Sequence, residues 1–204
     1  MIKVVFFDFG GVYCTRKRKE HTWKVLWQLV QKRIGKRYDY SIFSNLQGRL
    51  DAGELTLRQY YSRLMKRVGR KYTKKELDRF SKPFVSKPIF NMRVRKLVAQ
   101  LRKNGYKVPL ITNAINEVVR VNRKRGYYDI FHPLFISCEV RMSKREKGIY
   151  RLACKKLKVK PNESVMIDDN PDFLKPAREI GMKTMLYKSP EQLRMKLKEL
   201  GVNL

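Results

Sequence analysis

Short apolar segments alternate with helical segments over most of this 204-residue chain, and that alternation restricts the folds open to it. The predicted strands cover residues 3–7, 107–111, 134–137, 164–167 and 183–186, and each ends in polar or glycine residues. The predicted helices cover about 91–104, 116–125, 146–157 and 172–180, with a last one before Gly201. Most of them stop at a glycine, the residue expected just past a helix. The pattern predicts an α/β fold, a Rossmann-like three-layer sandwich around a parallel sheet.

Residues 16–87 interrupt this alternation because they contain helical patterns only. These patterns cover residues 23–34, 57–68 and 74–80, with a polar turn at 50–54 between the first two. We therefore predict a small helical cap domain at residues 15–88, inserted into a core domain formed by residues 1–14 and 89–204. The cap aromatics recur at helical spacing, which favours a packed cap core over a surface for stacking bases. They are Trp23, Trp27, Tyr60 and Tyr61.

The first predicted strand ends in a carboxylate, Asp8, which is followed closely by Gly10 and Gly11. Ligands of doubly wound sheets bind beyond the carboxyl ends of the strands. A carboxylate there can serve as a nucleophile, as a ligand for a hard cation, or as both. The glycines allow backbone N–H groups to approach an anion without interference from a Cβ atom.

Other predicted strands carry polar groups at the same end. Thr112 and Asn113 offer a hydroxyl and an amide to phosphate oxygens, and Lys144 precedes a helix where it could neutralise negative charge. Asp168 and Asp169 terminate the fourth strand. Adjacent acids in that position are costly unless a cation lies between them and Asp8. Each signal alone fits an ordinary turn or cap, but together, in order, they indicate a site for phosphate and a metal ion.

The four segments resemble, in order, the motifs of the haloacid dehalogenase-like (HAD) hydrolase superfamily. They read FFDFGGV at 6–12, LITN at 110–113, SKREKGIY at 143–150 and VMIDDN at 165–170, the last continuing into AREIGM at 177–182. The helical insertion is similar to the small cap of subfamily one, including its turn at residues 53–56. The resemblance covers nearly the whole chain.

The resemblance implies a phosphatase that acts through an aspartyl-phosphate. Asp8 would attack phosphorus, while Thr112 and Lys144 would hold the transferring oxygens, and these three are the implied catalytic residues. The implied substrate-binding set is Gly10, Gly11, Thr112, Asn113 and Lys144. The implied cofactor is Mg²⁺, held by Asp8, the Gly10 carbonyl, Asp168 and Asp169. Phosphoryl transfer asks mainly for positioning and charge neutralisation, and this set supplies both.

Three positions depart from the family pattern. Gly10 replaces the aspartate that serves as general acid and base, a role typically worth 10²–10⁴-fold in rate. Phe173 replaces the Asn or Asp that steadies the metal or the lysine, so we expect weaker metal affinity. Residues 145–147 replace the usual Pro-Asp-Pro, a change that we expect to be tolerated.

The composition is strongly basic, with 48 Lys and Arg against 18 Asp and Glu and a formal net charge of +30. Such a surface attracts polyanions, although a bias of the source organism would produce the same composition. One alternative hypothesis is therefore a weak or inactive HAD-like protein that binds RNA or another polyanion. A less favoured alternative, which follows from the family resemblance, is a haloacid dehalogenase. A basic segment at residues 15–19 favours a small, multiply charged substrate, such as a nucleotide or sugar phosphate.

The cysteines and the hydropathy pattern give no evidence for a disulfide framework, a zinc site or a membrane span. Cys14, Cys138 and Cys154 are widely spaced, which supports neither a disulfide framework nor a zinc site. No apolar run is long enough to span a bilayer and no secretory pattern opens the chain, so we expect a cytoplasmic protein without membrane contact. The oligomeric state is not readable from the sequence.

Overall fold

The computed structural model describes residues 1–15, 31, 40–67, 69–82 and 85–204. Most of the predicted helix at 23–34, including Trp23 and Trp27, and most of the basic segment at 15–19 lie outside these residues. In chain order the strands are β1 (Val4–Phe7), β2 (Cys14–Thr15), β3 (Ile89–Phe90), β4 (Leu110–Thr112), β5 (Leu134–Ile136), β6 (Ser164–Asp168) and β7 (Lys183–Leu186). All five strands that the sequence analysis predicted are present.

Helices occupy the connections between the strands. In the described residues they are α1 (Tyr40–Asp51), α2 (Leu57–Arg67), α3 (Lys74–Ser81), α4 (Met92–Lys103), α5 (Asn116–Lys124), α6 (Ser137–Val140), α7 (Lys147–Leu157), α8 (Pro171–Glu179) and α9 (Pro190–Glu199). A short 3₁₀ turn, Pro161–Glu163, precedes β6. None of these helices combines the length and the apolarity needed to cross a membrane.

The main sheet is fully parallel and has the strand order β5-β4-β1-β6-β7, with β1 at its centre. Alternate residues of β1 point to opposite faces. Val5 and Phe7 belong to one buried cluster, which includes Val94 of α4, and Val4 and Phe6 belong to a second. The second cluster includes Ile149 of α7 and Leu174 of α8, and the first includes Leu193 of α9. Helices therefore cover both faces of the sheet, which confirms the predicted three-layer α/β fold.

Several strand ends differ from the sequence prediction, most of them by one residue. The second predicted strand begins at residue 107, whereas β4 begins at Leu110. Pro109 has no N–H to donate to a neighbouring strand, although its carbonyl still accepts from the Phe7 amide. The third prediction ends at Ser137, but Ser137 opens the short helix α6, so that end was wrong.

The cap helices pack around buried aromatic side chains. Tyr60 and Tyr61 are buried on α2, and both rings contact Phe80 of α3, as predicted for a cap core. Helix α1 was not predicted from the sequence, and the predicted polar turn at residues 50–54 overlaps its last two residues. Leu46 and Leu50, four residues apart, are buried on one face of α1, and their packing stabilises the helix.

A short antiparallel ladder joins the two ends of the insertion. Cys14 of β2 pairs with Phe90 of β3, and Thr15 pairs with Ile89. Two-residue strands are too short to leave a pattern in the sequence. The ladder lies next to the predicted boundaries at residues 14/15 and 88/89, and the division into two domains stays a prediction.

Candidate active site

Three of the predicted site residues lie at the carboxyl ends of neighbouring strands. Asp8 follows the central strand β1, Thr112 ends β4 and Asp168 ends β6. Because β1 lies between β4 and β6, these side chains share one edge of the sheet. The exposed fraction of Asp8 is 5%, and Asp168 is fully buried. The Asp8 amide donates a hydrogen bond of 2.9 Å to the Ile167 carbonyl, which fixes the two strand ends relative to each other.

The carboxylates of Asp8, Asp168 and Asp169 form a compact cluster. One oxygen from each lies within 4.8 Å of the others. Carboxylate oxygens are the ligands that hard divalent cations such as Mg²⁺ take from proteins. Gly11 makes room for the cluster: it has a φ of +79°, and a Cβ there would overlap the carboxylate of Asp169. The donor set and its packing therefore fit a hard cation.

Lys144 pairs with two of the three carboxylates. Its Nζ lies 2.8 Å from Oδ1 of Asp8 and 2.6 Å from Oδ2 of Asp168. The carboxylate of Asp169 lies in the same cluster. A hard cation bound there would take oxygen ligands from all three carboxylates.

The close packing of these charged groups shifts the pKa values of Asp8 and Lys144. The pKa of Asp8 is raised to about 7, mainly by burial. The positive charge of Lys144 opposes the rise, and the negative charges of Asp168 and Asp169 add to it. For Lys144, burial by itself would lower the pKa, but the adjacent Asp168 and Asp8 carboxylates outweigh burial and raise it. Lys144 is therefore a permanent cation, and any further positive charge in the cluster favours the ionised form of Asp8.

Asn113 organises the loop that carries Lys144. Its Oδ1 accepts a hydrogen bond of 2.9 Å from the Lys144 amide, and its Nδ2 donates to the Ser143 hydroxyl at 3.2 Å. Nδ2 also donates to Oδ2 of Asp51, at 3.4 Å, from the end of cap helix α1. The structure thus brings Asn113 beside the lysine loop, where its side chain fixes the backbone.

Phe173 occupies the position where the family pattern has a polar residue. Its ring lies under both neighbouring cations, 4.5 Å from Nζ of Lys144 and 5.3 Å from Cζ of Arg145. The Tyr150 hydroxyl donates to the Phe173 carbonyl at 2.6 Å and lies 3.1 Å from the Lys144 carbonyl. An aromatic face thus stabilises the lysine where a polar partner was expected.

Gly10 lies beside Asp8 with open space around it. A Cβ built on Gly10 would meet no atom of the described residues within 4 Å, so these residues leave room for a larger side chain. The structure therefore brings together Asp8, Gly11, Asn113, Lys144, Asp168 and Asp169, with Thr112 at the same edge of the sheet. The catalytic, substrate-binding and metal-binding roles of these residues, and of Gly10, stay predictions.

The sequence analysis missed one residue of this site, Asp51. Its exposed fraction is 3%, and burial raises its pKa to about 7, although Arg145, Lys144 and the Asn113 hydrogen bond oppose the rise. An acidic residue two positions before Gly53 was a signal available in the sequence. It carried little weight because residues 50–54 resembled an exposed turn.

The fold and the residues of the candidate active site can be matched to a known protein family. A family model of the haloacid dehalogenase-like hydrolases matches residues 2–181, and the chain belongs to that family. The protein is therefore a HAD-like hydrolase, as the order of its sequence motifs predicted.

Among curated proteins, the chain is 30% identical over 171 residues to bifunctional epoxide hydrolase 2 of Sus scrofa. The match covers 76% of this chain but only 31% of the pig protein, so the chain spans about a third of that relative.

Solved structures show the same fold. A HAD family enzyme from Bacteroides thetaiotaomicron superposes with a TM-score of 0.71 at 21% identity, covering 92% of this chain and 94% of that chain. A 2-haloacid dehalogenase from Pseudomonas syringae superposes with a TM-score of 0.64 at 16% identity, covering 98% and 100%. Because a dehalogenase shares this fold, the fold alone does not identify the reaction of this chain.

Proposed function

We propose that the protein is a Mg²⁺-dependent phosphatase that hydrolyses a small phosphomonoester through an aspartyl-phosphate. The observation that carries this proposal is the cluster of three carboxylates, two of which pair with Lys144. Carbon–halogen hydrolysis needs no metal, so a dehalogenase has no use for a three-carboxylate metal site. The Bacteroides relative was crystallised with magnesium and inorganic phosphate, which supports the same chemistry here.

Bound Mg²⁺ would be held by Asp8, Asp168, Asp169 and the Gly10 carbonyl, and would neutralise charge on the phosphoryl oxygens. An oxygen of Asp8 attacks phosphorus, and the bond from phosphorus to the leaving oxygen breaks. Water then attacks the phosphoryl group on Asp8, which releases inorganic phosphate and restores the carboxylate.

Lys144 and Thr112 orient the phosphoryl oxygens in both halves of the reaction. Lys144 also pairs with Asp8, so its charge favours the ionised nucleophile. Gly10 brings no proton to the leaving oxygen, and substrates with acidic leaving groups should therefore react fastest. The cap at residues 15–88 would control access to the site.

Hydrolysis of p-nitrophenyl phosphate, with and without Mg²⁺, tests the proposal because its leaving group needs no acid. We expect Mg²⁺-dependent turnover by the wild type and its loss in Asp8→Asn. Asp172→Asn is the matched control, since Asp172 is an exposed acid outside the cluster. Turnover that depends on neither Mg²⁺ nor Asp8 would refute the proposed phosphatase mechanism.

Polyanion binding is a second candidate, supported by a basic groove on the cap. The groove has a volume of about 380 Å³ and is lined by Leu46, Arg49, Arg63, Lys66 and Arg67. Helix α2 contains no acidic residue. If the groove binds RNA, Arg63→Glu combined with Arg67→Glu should weaken binding and flatten its salt dependence. An unchanged salt dependence would leave the composition as the only argument for RNA.

A further inference from the structure

One segment of the cap, residues 51–57, contacts the core at three places. We call it the docking turn. Oδ2 of Asp51 accepts a hydrogen bond from Asn113, and the Leu57 amide donates to Oε1 of Glu117 at 3.3 Å. Between them, Gly53 packs so closely on α6 that a Cβ would come within 2.6 Å of a backbone carbonyl oxygen, that of Cys138. The docking turn is therefore held against the core along its whole length.

The first of these contacts leads to the lysine loop through the side chain of Asn113. Asn113 Nδ2 carries two hydrogens, and these are shared between Asp51 and Ser143. With both donors engaged, the amide plane is fixed and Oδ1 faces the Lys144 amide. The side chain of the same lysine reaches Asp8, so a continuous chain of polar contacts runs from the cap to the nucleophile.

We propose that Asp51 is a positioning residue: it holds the Asn113 side chain and thereby fixes the loop that places the Lys144 ammonium beside Asp8. The cap then does more than cover the site, because its docking turn sets the position of the phosphate-binding lysine. The catalytic consequence rests on the proposed phosphatase function. The coupling between Asp51 and the lysine loop does not, and it can be measured without turnover.

Glu117 provides the matched control. It joins the same docking turn to the core, but its contact leads to helix α5 and not to the lysine loop. Glu117→Ala therefore loosens the docking turn without touching Asn113 or Lys144. Asp51→Asn is the conservative variant, because the new amide oxygen can still accept from Asn113, whereas Asp51→Ala removes the acceptor.

The first measurement is hydrogen exchange of the Lys144 backbone amide in the full chain, followed residue by residue. We expect about fivefold faster exchange in Asp51→Ala, the change that the loss of one ordinary hydrogen bond produces. Asp51→Asn should restore slow exchange, and Glu117→Ala should match the wild type at this amide. Equal acceleration in Asp51→Ala and Glu117→Ala would reduce Asp51 to a simple cap contact and overturn the proposal.

The second measurement is calorimetric binding of inorganic phosphate in the presence of Mg²⁺. Asp51→Ala should weaken binding about fivefold because Lys144 is misplaced, and Glu117→Ala should leave it unchanged. Wild-type affinity and wild-type Lys144 exchange in Asp51→Ala would overturn the proposal. If the wild type binds no phosphate, the proposed function fails, and the exchange measurement still decides the coupling.

Discussion

The Lys144 ammonium lies 2.8 Å from Oδ1 of Asp8, and both side chains are almost completely buried. A buried ion pair adds little net stability, but removing one partner leaves the other charge without compensation. Removing Lys144 would also leave the Asp168 carboxylate without this partner, because Asp168 lies 2.6 Å from the same ammonium. The pair is therefore both the centre of the proposed chemistry and a condition for a folded site.

Replacing Lys144 by Met should destabilise the protein at pH 8 by about 3–5 kcal/mol. Without the lysine, the pKa of Asp8 should rise further above about 7, because the largest opposing charge is gone. At pH 5.5 the carboxylates can take up protons, so the loss should be smaller. Urea denaturation at the two pH values measures the difference.

Lys147→Met is the control for this variant, since Lys147 forms an ion pair with Glu179 on the surface. It should hardly change the free energy of unfolding at either pH. A Lys144→Met loss that is the same at pH 5.5 and pH 8 would contradict the assignment to uncompensated carboxylates.

Adding Mg²⁺ should stabilise the wild type against thermal unfolding and should not stabilise Asp169→Asn. If the dissociation constant is about 1 mM, 10 mM Mg²⁺ adds about 1.4 kcal/mol by mass action. Asp172→Asn should keep the full response because its carboxylate is outside the cluster. An equal response in Asp169→Asn would place the bound ion elsewhere.

Gly10→Asp should restore the missing general acid, since the described part of the chain leaves room for a side chain at Gly10. The expected effect is selective: turnover of an alkyl phosphate should rise about 10–100-fold relative to that of p-nitrophenyl phosphate. Gly10→Asn has a similar volume but supplies no proton, so it controls for steric effects. The prediction fails if both variants change the two substrates alike.

The positions of the candidate site residues could be predicted from the sequence where they depend on strand ends. Asp8, Thr112 and Asp168 follow or end apolar runs, and parallel strands bring their carboxyl ends to one edge of the sheet. Lys144, expected to lie near negative charge, forms ion pairs with two of the carboxylates, and its role stays a prediction. These features are local in sequence or follow directly from the topology.

The part that escaped prediction depends on contacts between distant segments. Asp51 reaches Asn113 across 62 positions, from the end of a helix that was not predicted. Phe173 was expected to weaken metal affinity, and its ring packs under the Lys144 ammonium, a contact that was not predicted. Neither relationship can be inferred from spacing, because each depends on how side chains pack once the cap and loops are in place.

Asp51→Asn should stabilise the protein at high pH and leave it unchanged at low pH. Burial raises the pKa of Asp51 from 3.8 to about 7, even though Arg145, Lys144 and Asn113 favour its ionised form. The folded state thus holds a proton that the unfolded state releases above pH 4, so stability falls as the pH rises from about 4 to about 7.

The neutral amide removes this titration. Each pKa unit corresponds to about 1.4 kcal/mol, so the gain at pH 8 should reach at most about 4 kcal/mol. Urea denaturation of both proteins between pH 4 and pH 8 should give curves that diverge over that window. Asp172→Asn, which removes an exposed carboxylate, controls for the change in net charge. Parallel curves for wild type and Asp51→Asn would show that Asp51 is ionised at neutral pH, with the Asn113 amide and nearby cations offsetting its burial.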